Sequence, residues 1–228
     1  YGSSTADTIL RDTGTLTELA PTGGSRPFSV IDMGWARGYP PSHGGPQDGA
    51  NAKFGDMARL ADRLRALGAR PGIWYRPLAT TEDDGLPRLP GRTTEVPGMS
   101  VRDPSAPETL ARIADEVRTL RAWGYDLIKH DFTTDDLTGR WGFEMDTRVG
   151  DSARPADPGR TTAEILKDLY ATIREAAGDA ILIGCNTVGH LTAGTHEVSR
   201  TGDDTSGREW SRTVKMGPNT LAMRMAQH

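Results

Sequence analysis

Apolar residues along this chain alternate between two rhythms. From Thr5 to Ala20, Ile9, Leu10, Thr13, Leu16 and Leu19 recur at roughly helical spacing, with Thr5 placed as the cap. Phe28-Ser29-Val30-Ile31-Asp32 is then a short apolar run ending in a carboxylate, which predicts a strand. Helical spacing returns from about Ala52 to Leu67 through Phe54, Met57, Leu60, Ala61 and Leu64, and Gly68 sits where a left-handed residue ends a helix. Arg70 to Tyr75 reads as a second strand, with its proline near the start, where a missing N–H is tolerated. A third helix spans about Pro107 to Trp123, with Ser105 a candidate cap and Leu110, Ile113, Val117 and Leu120 its buried stripe. Asp126 to Phe132 follows as a strand. A fourth helix, capped by Thr161 or Thr162, carries Ile165, Leu166, Leu169 and Ile173 and leads into the strand Ala180 to Cys185. Glu197 to Arg200 is a weaker strand, and a last helical stretch covers Asn219 to Gln227.

The segments between these elements are unequal. Helix-to-strand turns are short, whereas Gly38–Gly49, Leu78–Arg102 and Thr133–Arg160 are long, lack a period and follow strands. Repeated strand, loop and helix is βα-unit architecture. Long loops after the strands suit a (β/α)8 barrel, whose substrates bind at the C-terminal ends of its strands. A doubly wound sheet should show a glycine-rich phosphate loop after its first strand, and neither GxGxxG nor GxxxxGK[ST] occurs. The expected fold is therefore an α/β (β/α)8 barrel.

Composition and charge narrow the function. Twenty-seven basic against 31 acidic residues give a net charge of −4, with no basic stripe, which argues against nucleic acid as a partner. No apolar run approaches the ~18 residues a membrane span requires. Cys185 is the single cysteine, which excludes an internal disulfide framework and any thiolate-cluster metal site. The five histidines, His43, His130, His190, His196 and His228, show no ligand spacing, so neither a metal nor another cofactor is expected. Oligomeric state and compartment, cytoplasmic or secreted, stay open.

The chemistry collects at the strand ends: Asp32, then Trp74-Tyr75-Arg76, Lys129-His130-Asp131, Cys185-Asn186, and Arg200 with Asp203 and Asp204. In a barrel these ends converge on one mouth. Carboxylates, cations and an aromatic pair around a concave site suit a sugar, whose hydroxyls take charge-assisted hydrogen bonds and whose apolar face stacks on an indole. Opposed aspartates also suit glycosidic-bond cleavage. Plainer readings compete at each position. A strand-end acid such as Asp131 is often a loop tie, Asp203-Asp204 can be a turn pair, and Cys185 fits a small buried residue better than a nucleophile. Lys129 is one of only four lysines and shares a face with Asp131, so it should point inward with a partner. His130 alternates away from both and should pack behind the mouth.

These motifs resemble the alpha-galactosidase clan of glycoside hydrolases, families 27 and 36. Asp32-Met33-Gly34-Trp35 resembles that clan's Asp-Asp-Gly-Trp, and Gly72-Ile73-Trp74-Tyr75 its Gly-Leu/Ile-Trp/Tyr strand. Leu127 to Phe132 resembles the Lys-x-Asp strand, Cys185 a cysteine-bearing strand end, and Arg200-Thr201-Gly202-Asp203-Asp204-Thr205 the later motif that supplies an acid/base. The resemblance implies a barrel running here from the end of its first strand, at Tyr1-Gly2, through its sixth-strand region, so that residues 1–228 form one catalytic domain incomplete at both ends.

It further implies retaining hydrolysis of an oligosaccharide or other α-linked terminal glycoside by double displacement. Asp131 would be the nucleophile and Asp203 the acid/base. Asp32, Trp35, Trp74, Lys129, Cys185, Arg200 and Asp204 would line the substrate. Asp203 and Asp204 both qualify on spacing, and the motif favours Asp203. Two departures mark an atypical member: Met33 replaces the second acid of its pair, and Arg76 stands where family 36 often carries glutamate. Two other readings remain, an inactive carbohydrate-binding barrel and an aldolase-like enzyme using Lys129 as an amine nucleophile.

Overall fold

Helix α1 (Ala6–Leu19) begins where its cap predicts: Thr5 Oγ1 accepts from the Thr8 N–H at 3.2 Å, and Thr8 Oγ1 accepts from the Thr5 N–H at 2.9 Å. The computed structural model describes residues 2–21, 23–90, 92, 96–139, 155–200, 204, 209–211, 213, 214, 216 and 217. Only the first half of the expected α1 stripe enters the core. Leu10 and Thr13 are buried, while Leu16 and Leu19 are exposed. Thr13 Oγ1 lies 2.6 Å from Ser29 Oγ, which joins α1 to strand β1 (Phe28–Ile31).

Helix α2 (Met57–Ala66) starts later than Ala52, because Gly55 turns the chain at φ 65° and the Asp56 carboxylate then caps the Arg59 N–H at 3.0 Å. Strand β2 (Arg70–Tyr75) follows. The expected loop 78–102 holds two strands of two residues each, β3 (Ala79–Thr80) and β4 (Ser100–Val101), paired antiparallel and too short to show a period. Helix α3 (Pro107–Ala122) has Ala106 as its N-cap. Ser105 is not the cap, because its hydroxyl donates to Asp103 Oδ1 at 2.7 Å instead.

Strand β5 (Leu127–His130) is followed at once by α4 (Thr133–Thr138), a six-residue helix inside the expected loop from Thr133 to Arg160. Its sequence, Thr-Thr-Asp-Asp-Leu-Thr, offers no apolar stripe to reveal it. Helix α5 (Thr162–Ala177) takes Thr161 as its cap, in a reciprocal box with Glu164. Strand β6 (Ile181–Gly184), a single 3-10 turn at Gly189–Leu191 and strand β7 (Val198–Ser199) complete the order. The helix expected at Asn219–Gln227 and Tyr1 of the expected first strand end lie outside the described residues, and Gly2 is in a turn.

The five main strands pair in the order β1-β2-β5-β6-β7, and every pairing is parallel. Spatial order thus follows chain order without reversal. A doubly wound sheet reverses at a switch point, whereas a barrel does not. The sheet is part of a (β/α)8 barrel and supplies the strands expected as second to sixth. One apolar cluster unites the helix-facing strand residues Ile31, Ile73, Tyr75, Ile128 and Leu182 with Leu64, Ile113, Val117, Leu169 and Ile173 of the helices.

The opposite sheet face is packed by register. Gly72 pairs with Val30 on one side and Leu127 on the other. A Cβ built on Gly72 would meet Val30 Cγ2 at 2.9 Å and Leu127 Cδ2 at 3.2 Å. Gly72→Ala should therefore destabilise the fold by about 1–2 kcal/mol through overpacking, read as a lower urea midpoint at unchanged slope. An unchanged midpoint would show that the two side chains move aside freely.

Candidate active site

Side chains two residues apart on a strand share a face, and the parallel register stacks them across neighbouring strands. Trp74, Lys129 and Ile183 lie side by side on one rung. Backbone bonds carry the ladder one step past the strand ends: Asp131 N–H to the Tyr75 carbonyl at 2.9 Å, Cys185 N–H to His130 at 2.8 Å, and Arg200 N–H to Gly184 at 2.8 Å. Asp131, Cys185 and Arg200 thereby follow one another at the C-terminal edge of the sheet, with Asp32 just past the end of β1.

The Asp131 carboxylate is buried and held by three donors from three elements. Trp74 Nε1 donates to Oδ2 at 2.9 Å, while the Phe132 N–H and Asn186 Nδ2 each donate to Oδ1 at 2.7 Å. Lys129 Nζ lies 2.8 Å from Asp32 Oδ2, the inward partner that its position on the strand required. Burial alone would lower the Lys129 pKa, but the Asp32 charge and hydrogen bond, with the Asp131 charge, outweigh it and raise the value above that of an ordinary lysine. A charged, ion-paired ammonium is a poor amine nucleophile, which opposes the aldolase-like reading. Asp32 Oδ1 also accepts from the Met33 N–H at 2.8 Å.

Cys185 is fully buried, and burial first, then Asp131, pushes its thiol up to about 12. It stays protonated and inert. Arg200 Nη1 lies 3.1 Å from its sulfur and Arg200 Nη2 lies 2.7 Å from the exposed Asp204. Asp203 lies outside the described residues.

The two tryptophans differ from the exposed platforms that a sugar would need. Trp74 is 1% exposed, its N–H engaged by Asp131 and its ring edge-on to Phe132 at 6.1 Å. Its place in the site is that of a donor to the carboxylate. Trp35 is 0% exposed, donating to the Trp74 carbonyl at 3.0 Å and packing edge-on against Trp123, so the expected contact with substrate finds no open surface on it. Asn186, by contrast, sat at a strand end with no role assigned from the sequence. Its φ of 51° aims the amide at Asp131, and that left-handed turn is a signal only the backbone carries.

No protein-family model matches the chain, and no curated protein matches it in sequence. Solved structures do match. The alpha-galactosidase of Thermus thermophilus in complex with stachyose is 26% identical, with a TM-score of 0.69 over 95% of this chain and 45% of that one. The chain resembles the alpha-galactosidase clan. It spans less than half the length of the Thermus protein. The family 36 alpha-galactosidase AgaA of Geobacillus stearothermophilus shares the fold at 18% identity and a TM-score of 0.64, over 96% of this chain and 31% of that one. An alpha-galactosidase of Lactobacillus brevis does so at 16% and 0.65, over 96% and 30%.

Among the described residues no group of three or more His, Cys, Asp and Glu that could hold a metal occurs, nor does a helix long and apolar enough to cross a membrane. His130 packs on the helix side of β5, as alternation requires. Its Nδ1 lies 3.3 Å from His196 Nε2, its Nε2 lies 2.6 Å from Thr133 Oγ1, and its ring meets Tyr170 edge-on. Burial, and then the neighbouring His196, hold His130 well below its ordinary value. Burial, reinforced by Arg174 and opposed by Glu197, lowers His196 from 6.5 to about 4. Between those two values the unfolded chain binds a proton that the folded chain refuses, so acidification favours unfolding. The melting temperature should fall as pH drops from 6.5 toward 4, and His196→Phe should flatten that slope. A variant with the wild-type slope would show that other groups set it.

Proposed function

We propose that this chain is catalytic barrel from a retaining glycoside hydrolase acting on α-linked terminal sugars, with Asp131 as nucleophile and Asp203 as acid/base. The observation that supports it best is the Asp131 carboxylate itself, fixed by three N–H donors at the C-terminal end of a central barrel strand. A nucleophile must present its oxygen in one orientation, and donors from three elements provide that constraint. In the first step an Asp131 oxygen attacks the anomeric carbon, the bond to the leaving oxygen breaks, and the Asp203 carboxyl gives that oxygen its proton. In the second, water attacks the glycosyl ester, passes a proton to the Asp203 carboxylate, and releases sugar and Asp131. Lys129, paired with Asp32, and Arg200, paired with Asp204, supply donors for sugar hydroxyls beside it.

The first substrates to test are α-galactosides, since the Thermus relative holds stachyose. The test is a screen of the full-length protein against nitrophenyl α-glycosides of galactose, N-acetylgalactosamine, glucose and L-arabinopyranose. Turnover with retention on at least one carries the reading. Sugar binding without turnover on any of them would assign a carbohydrate-binding barrel instead. Asp131→Asn should lower turnover by several orders of magnitude with the melting temperature kept, and wild-type activity in that variant would end the assignment.

The acid/base is separable from its neighbour. The two carboxyls of a retaining pair lie roughly 5–5.5 Å apart. Asp203→Ala should lose activity mainly on poor leaving groups, because an activated nitrophenolate departs without protonation, and added azide should restore the second step. If Asp204→Ala shows that dependence and rescue while Asp203→Ala does not, the two roles are exchanged.

A further inference from the structure

Phe132 stands in a conformation that its side chain resists. Its φ of 69° and ψ of 2° are left-handed, a region that favours glycine, and its N–H is the one that Asp131 Oδ1 accepts from at 2.7 Å. Such strain persists only where the surroundings over-determine it. Here they do. The Arg76 guanidinium lies 4.0 Å from the Phe132 ring centroid, and Trp74 meets the ring edge-on. The Phe132 carbonyl accepts from the Asp136 N–H at 2.8 Å.

The Arg76 guanidinium is itself fixed. It reaches Asp136 through Nη2 at 2.7 Å and Nε at 3.2 Å, with both groups fully buried, and Nη1 donates to the His43 carbonyl at 3.2 Å. Gln47 brackets the Arg76 backbone, donating to its carbonyl at 2.8 Å and accepting from its N–H at 3.3 Å. Arg92 holds α4 from the far side, donating to the Asp136 and Asp135 carbonyls. We propose that Arg76 and Asp136 are positioning residues that clamp Phe132 in its left-handed turn and so aim the Asp131 carboxylate. A buried ion pair adds little net stability, and its use here is to fix a geometry. The flat fork of arginine is required, because a lysine can neither stack on the ring nor grip a carboxylate at two points.

This inference rests on Asp131 being the nucleophile, and its test separates the two. The readout is covalent labelling of Asp131 by a fluorinated α-galactosyl fluoride in the full-length protein. A folded wild-type protein that never labels overturns the nucleophile and this inference with it. Where the wild type labels, Arg76→Met should lower the labelling rate constant about tenfold or more while the probe's binding constant moves less than about threefold. Arg76→Lys should not restore the rate. Glycine accepts the left-handed turn unaided, so on a Phe132→Gly background Arg76→Met should cost less than about threefold further. Equal losses on both backgrounds, or a loss confined to probe binding, would overturn the clamp. If Arg76→Met does not fold, Asp136→Asn, which keeps size and shape, enters the same cycle with the same expected coupling.

Discussion

Strand β5 serves two incompatible environments, and the period-two alternation of a strand is what allows it. Lys129 and Asp131 face the barrel mouth, while Ile128 and His130 face the helices, so charge and core interleave within five residues from Leu127. The parallel ladder transmits that alternation sideways and sets Trp74 and Ile183 level with Lys129. A one-residue slip of β5 would bury Lys129 among the helices and turn Ile128 into the mouth. The apolar contacts of α3 and α5 against the back of the sheet therefore secure the position of Asp131 as much as they secure the fold.

The back of the sheet also carries paired polar groups. Tyr75 hydroxyl donates to Glu116 at 2.7 Å, and Arg102 meets the same carboxylate at 2.9 Å, which ties the long loop after β2 to α3. His130 answers its burial with His196 and Thr133. A buried polar group left unpaired is expensive, so these pairings restrict how the loops above the strands are laid out. The mouth inherits its shape from a polar layer behind the strands.

Much of this was legible in the chain. The cap at Thr5, the Thr161 or Thr162 alternative for α5, the strands at Val30, Ile73, Ile128 and Leu182, and the inward pairing of Lys129 follow from spacing alone. The short elements β3, β4 and α4 were not, because two residues or one polar turn carry no period. The burial of Trp35 and Trp74 was hidden for a different reason. A motif places an indole at a strand end but does not say whether its ring or its N–H will be used. The same limit applies to Asn186, whose contact with Asp131 depends on a dihedral angle.

The three donors to Asp131 come from Trp74 at the end of β2, from Phe132 immediately after β5 and from Asn186 just past β6, three successive units of the barrel. For any exchange of segments with another barrel, this makes the stretch from Arg70 to Asn186 a single unit. An exchange of segments whose junctions fall outside it passes the whole donor set on intact. A junction just after β2 or just after β5 would join Asp131 to a neighbour from another lineage, and the hybrid would keep its barrel while losing the carboxylate's orientation.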